Sequence, residues 1–418
     1  MMNQGQGFYK LPWAERLALT AKNRDLNAEQ VALIEQHYDA VGAQLIENYL
    51  YNFGVPTGLL LDLPVDGELA VVPMSTEEPS VIAAANNGAK MMRAGEGVTT
   101  TMETRLVRGQ IIITDVTDMD ELRAWIVAHE SELMTQINAT RPSMVRRGGG
   151  LKKLALQELA DDIAEVTLFV DPKAAMGANV VNSLAEYTSS IFRAQGYNVL
   201  MGILSNYATE SIVHGEVKIP VSALVAKDGT PGATIAAKIE QASRIEQLTP
   251  YRAVTSNKGI MNGVEAVALA SGNDTRAINA ALHAYASRDG QYRGLINWTV
   301  EQDMLVGKTD LPILIGVVGG SIGIVPAVQL NHVLMGNPTV ERLSSLLAGV
   351  ALAQNLAALR ALVSTGIQAG HMALQGKSLA LQVGATPEEV PAVALALEQQ
   401  GRFDELTARE ILETLRQS

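Results

Sequence analysis

LVRGQIIIT (106–114), EVTLFVD (165–171) and NVLMGILS (198–205) are three short runs of branched aliphatic residues, separated by amphipathic stretches. Such runs read as strands, while apolar residues at three-to-four spacing, as over about 118–138 and 176–193, read as helices. From Arg105 to Tyr207 the order is therefore strand, helix, loop, strand, helix, strand. That alternation predicts a small α/β unit, of ferredoxin-like sandwich type, set inside a larger one. Upstream the pattern is mostly helical, turns extended around 69–74, and passes through a polar, glycine-containing stretch at 94–104. Downstream the larger unit resumes with a long segment, 235–286, and a glycine-rich strand exit, GVVGGSIG (316–323). An apolar run follows at 346–363, interrupted by Gln354, Asn355 and Arg360, which reads as a buried helix rather than a membrane span. The tail from Gly366 reads as a helical cap. Thr386-Pro387-Glu388-Glu389 and Thr407 with Glu410 are its expected helix starts.

Composition narrows the function classes. The 418 residues are 47% hydrophobic but only 4% aromatic, with 36 glycines, so the cores are built from small and branched side chains. There is no cysteine, which excludes disulfides, thiolate metal sites and a cysteine nucleophile. The six histidines (His37, His129, His214, His283, His332, His371) never fall at metal-ligand spacing, and no metal is expected. A formal charge of −12 disfavours a nucleic-acid partner. The N-terminal MMNQGQGFYKLPW lacks the order of a signal peptide, so the expected address is the cytoplasm, with no membrane partner.

Four polar constellations have residue types suited to chemistry. Glu77-Glu78-Pro79-Ser80 opens an apolar helix; it is either ordinary N-terminal acidity or a carboxylic acid desolvated into a proton donor. Residues 251–263, YRAVTSNKGIMNG, concentrate Arg252, Thr255, Asn257, Lys258 and Asn262, interrupted by glycines. They form either a polar surface loop or a site for an anionic, carbonyl-bearing ligand. Asp274, in SGNDTR, pairs with Lys258 if the chain folds back. His371 follows two glycines at the start of the cap, where it is either tolerated or carried into a site. Finally, RRGGGLKK (146–153) and AAMGAN (174–179) place glycines where backbone N–H groups approach phosphate, yet neither is GxGxxG.

In sequence, spacing and order, EEPSVIAAA (77–85), MGANVVN (176–182), GILSN (202–206), PYRAVTSNKGIMNG (250–263), ASGND (270–274), LAQNLAALRAL (352–362) and STGIQAGHMAL (364–374) resemble class II 3-hydroxy-3-methylglutaryl-CoA (HMG-CoA) reductase. The resemblance runs from about Leu17 to the C-terminus. It implies a mixed α+β or α/β fold: a large, mostly helical substrate domain (1–104 and 208–365), an inserted ferredoxin-like, non-Rossmann cofactor domain (105–207) and a C-terminal helical flap (366–418). It also implies a homodimer, or a higher oligomer built from it, with the active site at the interface. The implied reaction is a two-step, four-electron reduction of HMG-CoA to mevalonate and CoA by two NAD(P)H, in the mevalonate pathway to isoprenoids.

Carried over by motif, the catalytic residues are Glu78 (proton donor), Lys258 (oxyanion stabiliser), Asp274 (pKa tuning) and His371 (protonation of the CoA thiolate). Substrate contacts fall on Glu47, Ser80, Arg252, Thr255, Asn262 and Gln354. Cofactor contacts fall on Arg141, Ser143, Arg146, Met176, Gly177, Asn179, Asn206, Gly319 and Gly320. Three departures bear on these assignments. Tyr51, in ENYLYNFGVP (47–56), stands where relatives carry glycine; Ala174 replaces an acid of the usual DAMG; and Arg141 stands where an NAD-using relative carries aspartate. A guanidinium at that last position favours a 2′-phosphate, so NADPH is expected over NADH. The competing expectations are the same site run as mevalonate oxidation, a catalytically weakened CoA- or nucleotide-binding protein, and an acyl-CoA transferase or hydrolase.

Overall fold

The computed structural model describes residues 7–226, 228–364 and 367–417, with side chains from 375 onward in the last stretch. Three short helices come first: α1 (Trp13–Arg24), α2 (Ala28–Gln36) and α3 (Ala40–Leu45). The hairpin β1 (Thr57–Val65) and β2 (Glu68–Ser75) follows, then α4 (Ser80–Met92) and β3 (Val98–Thr101). The next segment comprises β4 (Val107–Thr114), α5 (Met119–Ala139), α6 (Pro142–Arg146), β5 (Gly150–Ala160), β6 (Ile163–Asp171), α7 (Ala178–Ala194) and β7 (Asn198–Leu204). Then come β8 (Ile212–Pro220), α8 (Gly232–Leu248), α9 (Pro250–Ala270), α10 (Thr275–Ala286), β9 (Ile296–Glu301), β10 (Met304–Pro312), α11 (Pro326–Leu334) and α12 (Val340–Val363). The chain closes with α13 (Ile367–Gln382), α14 (Val390–Gln400) and α15 (Glu405–Gln417).

Two sheets organise the molecule. The larger has the order β2-β1-β3-β8-β10-β9, and the smaller β5-β6-β4-β7. In the smaller sheet every neighbouring pair is antiparallel, the order of a split βαββαβ unit, with α5 and α7 supplying the helices. Its entry and exit explain how it is inserted. β3 and β8 are antiparallel neighbours, Val98 opposite Val217 and Thr101 opposite His214, so they pair like the arms of a hairpin whose turn is replaced by the small sheet. The crossing strands are tied together there: Leu106 N–H donates to Glu210 O, Ser211 Oγ donates to Leu106 O, and Arg108 pairs with Glu210.

The larger unit carries a six-stranded sheet beside its helices, which still hold most of its regular structure. The sheet packs against α4, α8, α9 and α12 around one core. Within α12, Ala348, Gly349, Ala351 and Ala353 are fully or almost fully buried, which lets the helix lie close to its neighbours. α12 is long and apolar enough to cross a membrane, but most of that stretch is buried inside the protein.

Strand β5 was expected to be loop. Its alternation is hidden by a bulge between Leu151 and Lys153, which places Leu151, Leu154 and Leu156 on one face although their spacing is uneven. The last three helices share a small core of their own, including Val393, Leu397 and Leu412. At the start of α14, Glu389 Oε2 accepts the Thr386 N–H at 2.7 Å, one half of the expected capping box. At α15 the cap is Asp404, which accepts the Thr407 N–H at 2.9 Å, so Thr407 lies inside the helix instead of starting it.

Candidate active site

Residues 250–263 form the first part of α9, not a loop: Pro250 occupies the first turn, and both internal glycines are accommodated in the helix. The helix is locked on its buried side. Asn257, fully buried, donates to Arg293 O at 2.8 Å and accepts the Leu295 N–H at 2.9 Å. Ser256 Oγ accepts from Asn355 Nδ2 at 3.0 Å, and Asn355 Oδ1 accepts the Trp298 indole N–H at 2.7 Å. Because Asn257 points inward, Lys258 points out.

It faces a cleft of about 390 Å³. One wall is the Ser75–Glu78 connection ahead of α4; a second is the α9 face bearing Lys258, Met261, Asn262, Glu265 and Leu269. The third is α10, through Thr275, Asn279 and His283. Lys258 and Glu78, far apart in the chain, thus line one space. Lys258 makes no ion pair among the described residues, leaving its ammonium available to a ligand. Glu78 is half-buried and accepts a hydrogen bond from Ser80 Oγ at 2.8 Å. Around them Asn279 donates to Glu265 Oε1 at 2.6 Å, and His283 Nδ1 lies 2.6 Å from the Tyr292 hydroxyl.

Glu265, Asn279 and His283 were not among the residues singled out from the sequence. The signal was present: Lys258, Met261, Asn262, Glu265 and Leu269 follow helical spacing, as do Thr275, Asn279 and His283. It becomes readable once 250–263 is known to be helix.

Asp274 does not meet Lys258 within the chain, contrary to the fold-back expectation. It caps α10, accepting the N–H groups of Arg276 and Ala277 at 2.9 and 3.1 Å, and pairs with the Arg276 guanidinium at 3.1 Å. Burial pushes its carboxyl up, but Arg276 and those N–H groups outweigh this and hold it below the usual range. Its neighbour Thr275, not Asp274, lines the cleft. His371 lies outside the described side chains.

The substrate candidates are dispersed. Asn262 lines the cleft and Ser80 bonds to Glu78. Thr255 is exposed and turns its hydroxyl back to Tyr251 O. Gln354 is buried, with its Oε1 unpaired. Arg252 lies beside the buried Glu246. Glu47 is exposed, next to Asn48 with its left-handed φ of 58°, and Tyr51 is exposed nearby.

The cofactor candidates gather at one end of the small sheet, where β4 and β5 begin and β6 and β7 end. An isolated parallel bridge, Ala175 to Val318, brings Gly319 and Gly320 beside Met176, Gly177 and Asn179. The approach is close: a Cβ on Gly316 would lie 2.3 Å from Met176 N, so only glycine fits. Gly177 precedes α7 with φ 111° and no side-chain cap, leaving first-turn N–H groups open. Ala174 contributes its carbonyl, which accepts the Val317 N–H at 2.8 Å. Half-buried Arg105 stitches the region together by donating to the carbonyls of Lys173, Ala175 and Ile315. Asn206 is exposed just beyond β7. Arg146, Arg147 and Ser143 are exposed on α6 and the turn after it, whereas Arg141 is half-buried with its Nε unpaired. Beside Arg146 an apolar groove of about 500 Å³ runs along α5 and α6. No cluster of metal-ligating residues occurs among the described residues.

The family model for hydroxymethylglutaryl-coenzyme A reductase matches residues 12–376. The 3-hydroxy-3-methylglutaryl-coenzyme A reductase of Archaeoglobus fulgidus is 36% identical, over 100% of this chain and 95% of its own length. The reductase structure from Streptococcus pneumoniae superimposes with a TM-score of 0.76 and 41% identity, covering 98% of this chain and 99% of that one. A structure of the class II enzyme from the same organism, bound to NADPH in open conformations, also matches with a TM-score of 0.76 and 41% identity, over 97% of this chain and 100% of that one. With a glutamate and a lysine of the expected motifs lining one cleft, and with likeness over its whole length, the chain belongs to the class II hydroxymethylglutaryl-coenzyme A reductase family.

Proposed function

We propose that the cleft between α4, α9 and α10 is where this oxidoreductase reduces HMG-CoA to mevalonate and CoA. The observation that carries this reading is the meeting of Lys258 and Glu78 in one space, with no ion pair on Lys258 among the described residues. Each hydride addition puts negative charge on the former thioester oxygen, and Lys258 is the group suited to stabilise it. Glu78 supplies the proton for the aldehyde step, with Ser80 orienting its carboxyl. Asp274 tunes these groups, and His371 protonates the departing thiolate so that it does not attack the aldehyde again. Arg252, with Thr255, Asn262, Gln354 and Glu47, receives the substrate's carboxylate arm and pocket contacts.

A nicotinamide cofactor supplies the hydride. The end of the small sheet suits it: glycine backbone and open α7 N–H groups for its diphosphate, an apolar groove for its base, and exposed Arg146 and Arg147. In this reading residues 105–207 are an inserted ferredoxin-like cofactor domain, 1–104 and 208–365 the substrate domain, and 366–418 a flap that carries His371 to the site. NADPH is preferred over NADH, through Arg146 and Arg147 with Arg141 and Ser143 nearby. Assembly as a homodimer with sites at the subunit contact belongs to the same reading. It accounts for Asp274 standing outside the cleft of its own chain and for apolar exposure at Ile46, Phe53 and Tyr251. The expected setting is the cytoplasm.

The test is spectrophotometric. Purified protein should oxidise NADPH only when HMG-CoA is present, consuming two cofactors per mevalonate, and NADH more slowly. A folded protein that turns over neither cofactor overturns the reading.

A further inference from the structure

Glu246, on α8, is 1% exposed, and among the described residues neither of its carboxylate oxygens makes a hydrogen bond. The Arg252 Nε, on α9, lies 3.8 Å from Oε1 and is itself buried without a hydrogen bond. A buried carboxylate is ordinarily covered by donors, so two orphaned groups side by side mark an arrangement set for something else.

The surroundings are well defined. Ser256, one turn along α9, lies close enough to pull the Glu246 carboxyl down, and its oxygen accepts from Asn355. Gly294, ahead of β9, packs against the Glu246 stem, while Arg293 beside it directs its guanidinium to Gln247 O. Arg252 is the only charged side chain among the described residues that acts on Glu246.

We propose that Glu246 is the positioning residue of Arg252, and that substrate binding exchanges one carboxylate for another. Before substrate arrives, Glu246 holds the guanidinium at the edge of the site. When the terminal carboxylate of HMG-CoA takes Arg252, Glu246 loses its counter-charge, and where it is ionised it takes up a proton from solvent. Binding of this anionic ligand is therefore coupled to protonation of a group that never touches it. The proposal rests on Arg252 receiving the substrate carboxylate.

Burial pushes the Glu246 carboxyl up to about 7, against the opposing pull of Ser256 and Arg252. A second carboxylate on Arg252 raises it further, so the complex binds more protons than the free protein. The sign follows. Well below pH 7, Glu246 is protonated in both states and affinity is flat; above it, affinity falls with rising pH, by at most about tenfold per unit, until the pKa of the complex is passed.

The experiment is calorimetric titration of HMG-CoA into the full-length enzyme at pH 7, in buffers of different ionisation enthalpy, on wild type, Glu246→Gln and Arg252→Gln. Wild type should take up roughly 0.3–0.5 proton more than Glu246→Gln, whose amide mimics the protonated acid. The KM of Glu246→Gln should stay flat from pH 6 to 8, while that of wild type climbs. Equal proton uptake by wild type and a folded Glu246→Gln overturns the proposal, and so does no uptake by wild type, whatever the fate of the variant. If Arg252→Gln binds HMG-CoA as tightly as wild type, the carboxylate assignment itself fails, which separates the two outcomes.

Discussion

Lys258 reaches its cleft from the middle of a helix locked from behind by Asn257, Ser256 and Trp298, whereas Arg146 and Arg147 stand on an exposed turn that runs into three glycines. The first region presents side chains held by buried hydrogen bonds. The second presents backbone N–H groups and solvated charge. Reaction chemistry needs an ammonium whose position costs little to fix when charge develops, and a packed helix supplies that. In the proposed reading, phosphate recognition at the second end uses exposed backbone N–H groups at the start of α7 together with charges that search for their partner. Substitutions should therefore behave differently at the two ends.

The largest effect is expected at Lys258. Lys258→Ala should lower kcat by about two to three orders of magnitude with little change in melting temperature. Near-normal turnover would remove the lysine from the chemistry and dissolve the contrast. Next is the lock behind it. Asn257→Ala leaves Arg293 O and the Leu295 N–H without their buried partner and should cost about 2–3 kcal/mol in denaturant unfolding. A loss of activity without that loss of stability would mean that Asn257 faces substrate instead.

At the other end the effect should be smaller and selective. Arg146→Ala or Arg147→Ala should raise the KM for NADPH by roughly tenfold, leave that for NADH alone and barely change stability, as expected for one charge-assisted hydrogen bond. Equal losses with both cofactors would shift these arginines from the 2′-phosphate to the shared diphosphate.

The smallest effect separates space left for a ligand from space that is merely open. A Cβ on Gly259 would meet nothing within 4 Å, so Gly259→Ala should stabilise α9 by about 0.5–1 kcal/mol. A raised melting temperature with a raised KM for HMG-CoA would show that substrate lies against that backbone. A raised melting temperature alone would show that it does not.

The two ends were also unequally legible. The pattern gave β4, β6 and β7 and the helices α5 and α7: β4 alternates strictly, β6 is an apolar run buried almost throughout, β7 is a short branched-aliphatic run, and α5 and α7 each bury one face. It missed β5, where a bulge shifts the parity of the apolar positions, and it left the start of α9 open between a surface loop and a ligand site, because glycine and asparagine carry low helix propensity. In α9 tertiary burial overrides that propensity: Ala253, Asn257, Ile260 and Val264 are all fully buried.

Sequence alone determined the residue types on hand: an arginine, a lysine and acids in a fixed order, no cysteine, and a glycine pattern unlike the Rossmann one. Motif likeness rests on those types and spacings, which do not depend on where the chain goes. Only the tertiary structure decided which of them meet. It brought Glu78 to Lys258, set Asp274 to cap α10, and buried Glu246 beside Arg252. Those contacts join residues from different elements, and their positions are fixed by sheet order and by the packing of α8, α9 and α10, which local spacing does not encode.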